Sequence, residues 1–229
     1  MSDSTGTSDL KPRPFEWFEL ATALLLGCGA VGASLSGYQA SLWNGKTNES
    51  FVKSSFHNTQ AAASEHTAVM VSLHDQEIDV EAKKLLADAA VETDETKKRS
   101  DLHMASSLYL HHLSKEAYSD LGLPVARGDS IPDDALMKAR DQDLSGTYMH
   151  RVFAAAESDR DKARETFETG SHASSQGDRF ALAEVLFAVS LFVSGTGLVF
   201  KTRLKWAFAG MGFVALATAF GYLLRLEWM

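Results

Sequence analysis

The sequence predicts an all-α integral membrane protein with three transmembrane helices and an extramembrane helical bundle. Three observations carry this expectation. Long apolar runs are confined to residues 15–43 and 180–224 of a 229-residue chain. Each predicted span exceeds or approaches the ~20 apolar residues that a helix needs to cross a bilayer. The four prolines (Pro12, Pro14, Pro124 and Pro132) leave 15–123 uninterrupted, and no glycine lies between Gly45 and Gly122, so the polar stretch between the spans reads as helix. The mean hydropathy of −0.12 describes a soluble chain only because it averages over this segregation.

Residues 1–14 read as a polar tail and 15–43 as the first span. No charged residue falls between Glu19 and Lys46. Phe15, Trp17 and Phe18 mark one end, Tyr38 and Trp43 the other, as aromatic side chains do at headgroup level. A cleaved signal peptide fits poorly. Asp3, Asp9, Glu16 and Glu19 offset the positive charge such a leader carries, and the apolar run is too long. The single cysteine, Cys28, lies inside the span, which excludes an internal disulfide framework and a zinc site built from several thiolates. Leu25-Leu26-Gly27-Cys28 has only a faint likeness to a lipoprotein processing box.

Residues 179–200 and 206–229 hold the second and third spans, with a short tail after the third. The basic link 201–205 between them makes a tight hairpin. Lys and Arg near span ends accumulate on the cytoplasmic side. Lys11, Arg13, Lys201, Arg203 and Lys205 therefore place the N-terminus and the link inside. The region 44–178 and the C-terminus are then outside, which in a bacterium with two membranes is the periplasm.

The region 44–178 carries 15 Lys and Arg against 24 Asp and Glu. An acidic surface of this kind excludes nucleic acid, whose recognition needs clustered positive charge. Ile78, Ala82, Leu85 and Ala89 follow helical spacing, as do Leu102, Ala105, Tyr109 and Leu113, which gives two stripes for helix packing. Pro132-Asp133-Asp134 reads as a helix start, since acidic side chains favour a first turn. One helix over 44–121 would rise about 115 Å, whereas a helix over 133–178 descends only about 70 Å. The chain is therefore expected to reverse near 92–100, where no residue is apolar, again at 122–132, and near Ser145-Gly146. Residues 169–178, rich in small polar side chains, read equally as a loosened joint or as continuous helix leading into the second span.

Little in the chain carries chemistry. His111 and His112 are adjacent and diverge by about 100° on a helix. His112/Glu116 and His74/Glu77 share faces, yet no Glu-x-x-His pair supplies the di-metal pattern of helical bundles. Asp133/Asp134, Asp141/Asp143 and Asp159/Asp161 lie among basic residues and read as solvated faces. No nucleophile motif, phosphate loop or cofactor fingerprint is present, so no cofactor and no enzymatic activity are expected. Glu184 is the one ionisable residue well within a span; lying only about one and a half turns inside the interface, it is expected to reach the headgroups or to meet Gln39 or Tyr38 at the outer level of the first span, in preference to ion translocation. Gly29, Ala33 and Gly37, with Ser190 and Ser194 and with Ala217 and Gly221, form rows of small residues that let helix backbones approach closely. They suit packing of the three spans together or an oligomer interface.

The stretches Phe15-Glu16-Trp17-Phe18 to Leu26, Ser36-Gly37-Tyr38-Gln39 to Trp43, and Gly177-Asp178-Arg179-Phe180 to Phe187 resemble bacterial membrane proteins of unknown function. Such proteins have one span, a helical domain and a two-span hairpin. The resemblance implies that topology and supplies no activity. The expected function is that of a non-enzymatic accessory or scaffolding subunit of an inner-membrane assembly, in contact with the lipid bilayer and assembled as a homo-oligomer or within a larger complex. Two alternatives stand beside it: a homo-oligomeric pore or transporter component, and a metal- or pH-responsive sensor.

Overall fold

A computed structural model describes residues 17–124, 130–200 and 202–229. Six helices follow in chain order, with no strand among the described residues: α1 Trp17–Val91, α2 Glu95–His112, α3 Lys115–Asp120, α4 Asp133–Arg140, α5 Gly146–Gly197 and α6 Leu204–Leu223. The chain divides into two compact units, one of Met1–Ser50 with Glu168–Met229 and one of Phe51–Phe167. Both α1 and α5 contribute to each unit. Residues 169–178 are continuous helix within α5, so the loosened joint is not formed.

In the unit Phe51–Phe167, α1 ends where the apolar pattern ends. The Glu92 carboxylate accepts the N–H groups of Thr93 and Asp94 at 2.9 and 3.1 Å, and Asp94 then caps α2 by accepting Thr96 N–H at 2.9 Å. This break falls inside the expected 92–100 reversal. Tyr109 of α2 reaches back to Asp79 of α1, an equal number of residues either side of Asp94, so α2 runs antiparallel to α1. The two stripes read from the sequence meet there: Ile78, Ala82 and Leu86 pack with Ala105 and Tyr109, joined by Leu121, Leu123, Ile131, Leu136 and Ala139.

Ser114 caps α3 by accepting Ala117 N–H at 3.2 Å. After α3, Gly122 takes φ +62°, the left-handed helix stop that glycine adopts without a side-chain penalty. Pro132 precedes α4, whose first turn carries Asp133 and Asp134 and whose last carries Lys138 and Arg140, charges matched to the helix dipole. Further along this unit α1 and α5 pair antiparallel, through Phe51 with Phe167, Ser54 with Ala163, and Glu65 with Arg160.

In the other unit α1, α5 and α6 pack around Ala40, Trp43, Ala173, Phe180, Ala183, Phe187, Leu216, Ala219 and Leu223. The α1 hydroxyls on the packed face are satisfied inside the helix, Thr22 Oγ1 donating to Phe18 O and Ser36 Oγ to Gly32 O, both at 2.9 Å, as apolar surroundings demand. Three helices, those containing Trp17–Val91, Gly146–Gly197 and Leu204–Leu223, are long and apolar enough to cross a membrane.

Candidate functional site

The seam between the apolar helices is built on small residues, at positions only partly those read from the sequence. A Cβ on Gly29 would meet Leu191 Cδ2 at 2.7 Å, and one on Gly37 would meet the Glu184 carboxylate at 3.2–3.3 Å. Ala33 is half-buried between them. Gly32, absent from the expected row, is the tightest point of α1: an added Cβ there would lie 2.6 Å from Phe187 Cζ and 2.8 Å from its Cδ1. Ser190 and Ser194 are buried against α6 at Gly212. Ser190 Oγ donates to Gly212 O at 2.8 Å, and Ser194 Cβ and N would lie 3.1 and 3.2 Å from a Cβ on Gly212. Ala217 and Gly221 are exposed, and Gly221 has no atom near its missing side chain. They take no part in packing the three helices, because Leu216, Ala219 and Leu223 form the buried face of α6.

Among the described residues Glu184 forms no hydrogen bond to Gln39 or Tyr38. Its carboxylate lies over the Gly37 backbone, Tyr38 is exposed, and the Gln39 amide is taken by the end of the chain. Gln39 Nε2 donates to Met229 O at 3.4 Å while Met229 N–H donates to Gln39 Oε1 at 3.2 Å. Around this pair Trp43 Nε1 donates to Glu227 O at 3.3 Å, Gln176 Nε2 donates to Glu227 Oε2 at 3.4 Å, and Trp228 packs edge-on to Phe180 with 5.6 Å between ring centroids. The tail after α6 is thus clasped between α1 and α5.

The opposite end of this unit is aromatic and basic. Phe18 packs on Trp206 at 5.0 Å, and Lys205 Nζ lies 4.6 Å above the Phe18 ring. The start of α1 and the start of α6 therefore share one end. Phe18 and Trp43 are separated by about 38 Å of helix rise, which matches the hydrocarbon core plus part of the headgroup layers. Arg203 directly precedes α6. Lys11, Arg13 and Lys201 lie outside the described residues.

The densest polar site is in Phe51–Phe167. Asp75 is fully buried and accepts three hydrogen bonds, from Ser114 N–H at 2.8 Å, from Ser114 Oγ, and from Tyr148 OH at 2.7 Å. One turn along, Asp79 accepts Tyr109 OH at 3.0 Å and pairs with Lys83 at 2.9 Å, and Lys83 also holds Asp143 at 2.9 Å. Asp120 accepts Ser145 N–H and Oγ at 2.7 and 2.8 Å and Arg151 at 2.7 Å. Burial raises the Asp120 carboxyl, but these donors outweigh it and hold it below the usual carboxylate range. Every carboxylate here is engaged by hydroxyl, amide or cationic donors, so the cluster fastens α2, α3 and α5 to α1. Sequence reading missed it, although Asp75 and Asp79 stand in the helical register of Ser72, Ala82 and Leu86, all buried.

Burial, reinforced by the charge of and hydrogen bond to Asp79, pushes the Tyr109 phenol well above its ordinary ~10. Burial, with the hydrogen bond to Asp75, does the same for Tyr148. A raised folded-state pKa contributes stability that is complete below pH ~10 and is lost as pH climbs through the folded value. Ultraviolet titration of the full chain should therefore show the Tyr109 and Tyr148 phenols ionising only as α2 and α5 detach. Tyr109→Phe and Tyr148→Phe should each remove one of these late phenols. Ionisation of Tyr109 and Tyr148 near pH ~10 without loss of structure would contradict the cluster.

Among the described residues no group of three or more His, Cys, Asp or Glu side chains is placed to hold a metal ion. Comparison with protein-family models, with curated proteins and with solved structures finds no match. The resemblance of the span-flanking stretches thus finds no matching family, and what stands is a chain of long helices with three apolar candidate spans.

Proposed function

We propose that this chain is a non-enzymatic accessory or scaffolding subunit of a bacterial inner-membrane assembly. The N-terminal part of α1, the C-terminal part of α5 and α6 cross the bilayer, the N-terminus and the 201–205 link are cytoplasmic, and 44–178 with the C-terminus is periplasmic. One observation carries the membrane reading. In the most apolar windows of the three helices only 22%, 33% and 22% of residues are buried within the chain. Leu24, Val31, Val185, Phe192, Phe213 and Val214 are among those facing outward. In water this surface would be strongly unfavourable, at about 25 cal/mol per Å² of apolar area; lipid removes that penalty. A scaffolding role is supported by the cluster on Asp75 and Asp79, which ties up its polar groups internally.

After Cys28→Ser, a lone cysteine placed at Ser100, which is exposed, should react with a membrane-impermeant maleimide in intact spheroplasts. Labelling only after lysis would reverse the orientation. Recovery of the chain in the alkaline-carbonate supernatant would remove the membrane reading altogether. The exposed Glu184 on α5 favours one second reading, a homo-oligomeric pore in which that carboxylate faces a polar axis.

A further inference from the structure

Within Phe51–Phe167 the α1·α5 pair is packed inside out. Beyond the Phe51–Phe167 ring contact at one end, its seam is lined by Ser54, Ala61, Ala68 and Ser72 from α1 with Ala156, Asp159 and Ala163 from α5, all seven buried. Four other large apolar side chains of α1 point away from it: Val52 is 70% exposed, Phe56 63%, Met70 57% and Leu73 56%. Burying one such side chain stabilises by about 1.5–3 kcal/mol, so a two-helix pair standing alone in water would be expected to have the opposite arrangement. The outward residues form a single line. Val52, Phe56, Thr59, Ala63, His66, Met70 and Leu73 repeat at spacings of four and three, the heptad pattern of a helix seam. Every one of them is exposed, and none is an acidic, lysine or arginine residue.

We propose that this face of α1, from Val52 to Leu73, is where a second copy of the chain docks, the two α1 helices lying parallel and in register. α1 begins with the first apolar stretch, so copies anchored through it in one bilayer present this face in the same direction and at the same height. A twofold axis along the membrane normal then sets each position of the stripe against itself. A face that meets itself must be free of fixed charge, because like charges directly opposed repel. The stripe meets that condition up to Leu73, and Glu77, the next position in register, marks its end. Val52, Phe56, Val69, Met70 and Leu73 together offer on the order of 500 Å² per copy, so a pair would bury up to about 1,000 Å², the lower bound for a specific interface. The parallel register rests on the membrane reading above; the uncovered stripe does not.

The test uses the full-length Cys28→Ser chain in native membranes, with single substitutions Phe56→Cys, Ala63→Cys or Met70→Cys, and Ser158→Cys on exposed α5 as the contrast. Mild oxidation should give a disulfide-linked species of twice the 24.9 kDa chain at the three stripe positions and not at Ser158, since the bond needs Cα atoms within about 7 Å. A Phe56→Glu, Met70→Glu variant should shift the detergent-extracted protein from dimer to monomer mass with its helix content unchanged. A monomeric parent, cross-linking at Ser158 alone, or stripe cysteines shielded by a stoichiometric foreign chain without cross-linking would each overturn the proposal. Stripe cross-linking in a chain that carbonate releases from the membrane would keep the docking face and discard only the anchorage.

Discussion

Asp75→Ala is expected to destabilise the region of α2, α3 and the start of α5 by about 3–5 kcal/mol. Three donors converge on this fully buried carboxylate. Truncation leaves the Ser114 N–H, the Ser114 hydroxyl and the Tyr148 hydroxyl without their acceptor in a site closed to water. Each orphaned buried group costs about 1–3 kcal/mol, with part of the total recovered by relaxation. Asp75→Asn should cost roughly half as much, since the amide oxygen still accepts Ser114 N–H while the amide nitrogen meets the Ser114 and Tyr148 hydroxyls, both of which must turn around. Tyr148→Phe removes a donor together with its partner's third bond and should cost about 1–2 kcal/mol. The measurement is thermal unfolding of the detergent-extracted full chain with amide hydrogen exchange over α2, α3 and α4. A double-mutant cycle between Asp75 and Tyr148 would isolate their coupling. An Asp75→Ala chain that exchanges and melts like its parent would show that the cluster does not fasten these helices.

The elements written in local composition were legible in the sequence. The helix break at Glu92–Asp94 lies in a run without apolar residues, the α4 start follows Pro132, and the stripes Ile78/Ala82 and Ala105/Tyr109 share one core. Each follows from neighbouring residues along the chain. What was missed depends on which faces meet. Small residues occur on every side of the apolar helices, and whether Gly32 or Gly37 is the tighter point depends on where α5 places Phe187. Ala217 and Gly221 have the spacing of a packing row, yet α6 is rotated so that Gly212 and Leu216 face inward. The clasp of the tail joins Gln39 to Met229 and Trp43 to Glu227, 190 and 184 residues apart, and no local pattern announces such a pair. Asp75 and Asp79 were concealed differently: a carboxylate in an otherwise apolar register reads as an interruption until its donors on α2, α3 and α5 are known.

Gly32→Leu should be the most disruptive single change in the apolar helices. The ring of Phe187 occupies the space a side chain would enter, and that ring is fully buried and braced edge-on by Phe220 at 4.9 Å. It cannot swing aside, so α1 and α5 must separate, at the 1–3 kcal/mol or more that overpacking costs. Loss of close backbone contact matters more among lipid-facing helices than in a soluble core, because van der Waals packing supplies much of what holds such helices together. Gly27→Leu, on the same helix with open space around it, should be tolerated. Gly212→Ala is intermediate, since the Ser194 hydroxyl can rotate while its Cβ and backbone cannot. Phe187→Leu should restore part of the stability lost in Gly32→Leu, because it vacates the volume the new side chain needs. Monodispersity of the detergent-extracted chain after graded heating reads all four variants. Equal losses for Gly32→Leu and Gly27→Leu would mean that α1 presents a different face to α5, and that Glu184, now laid over Gly37, has another neighbour.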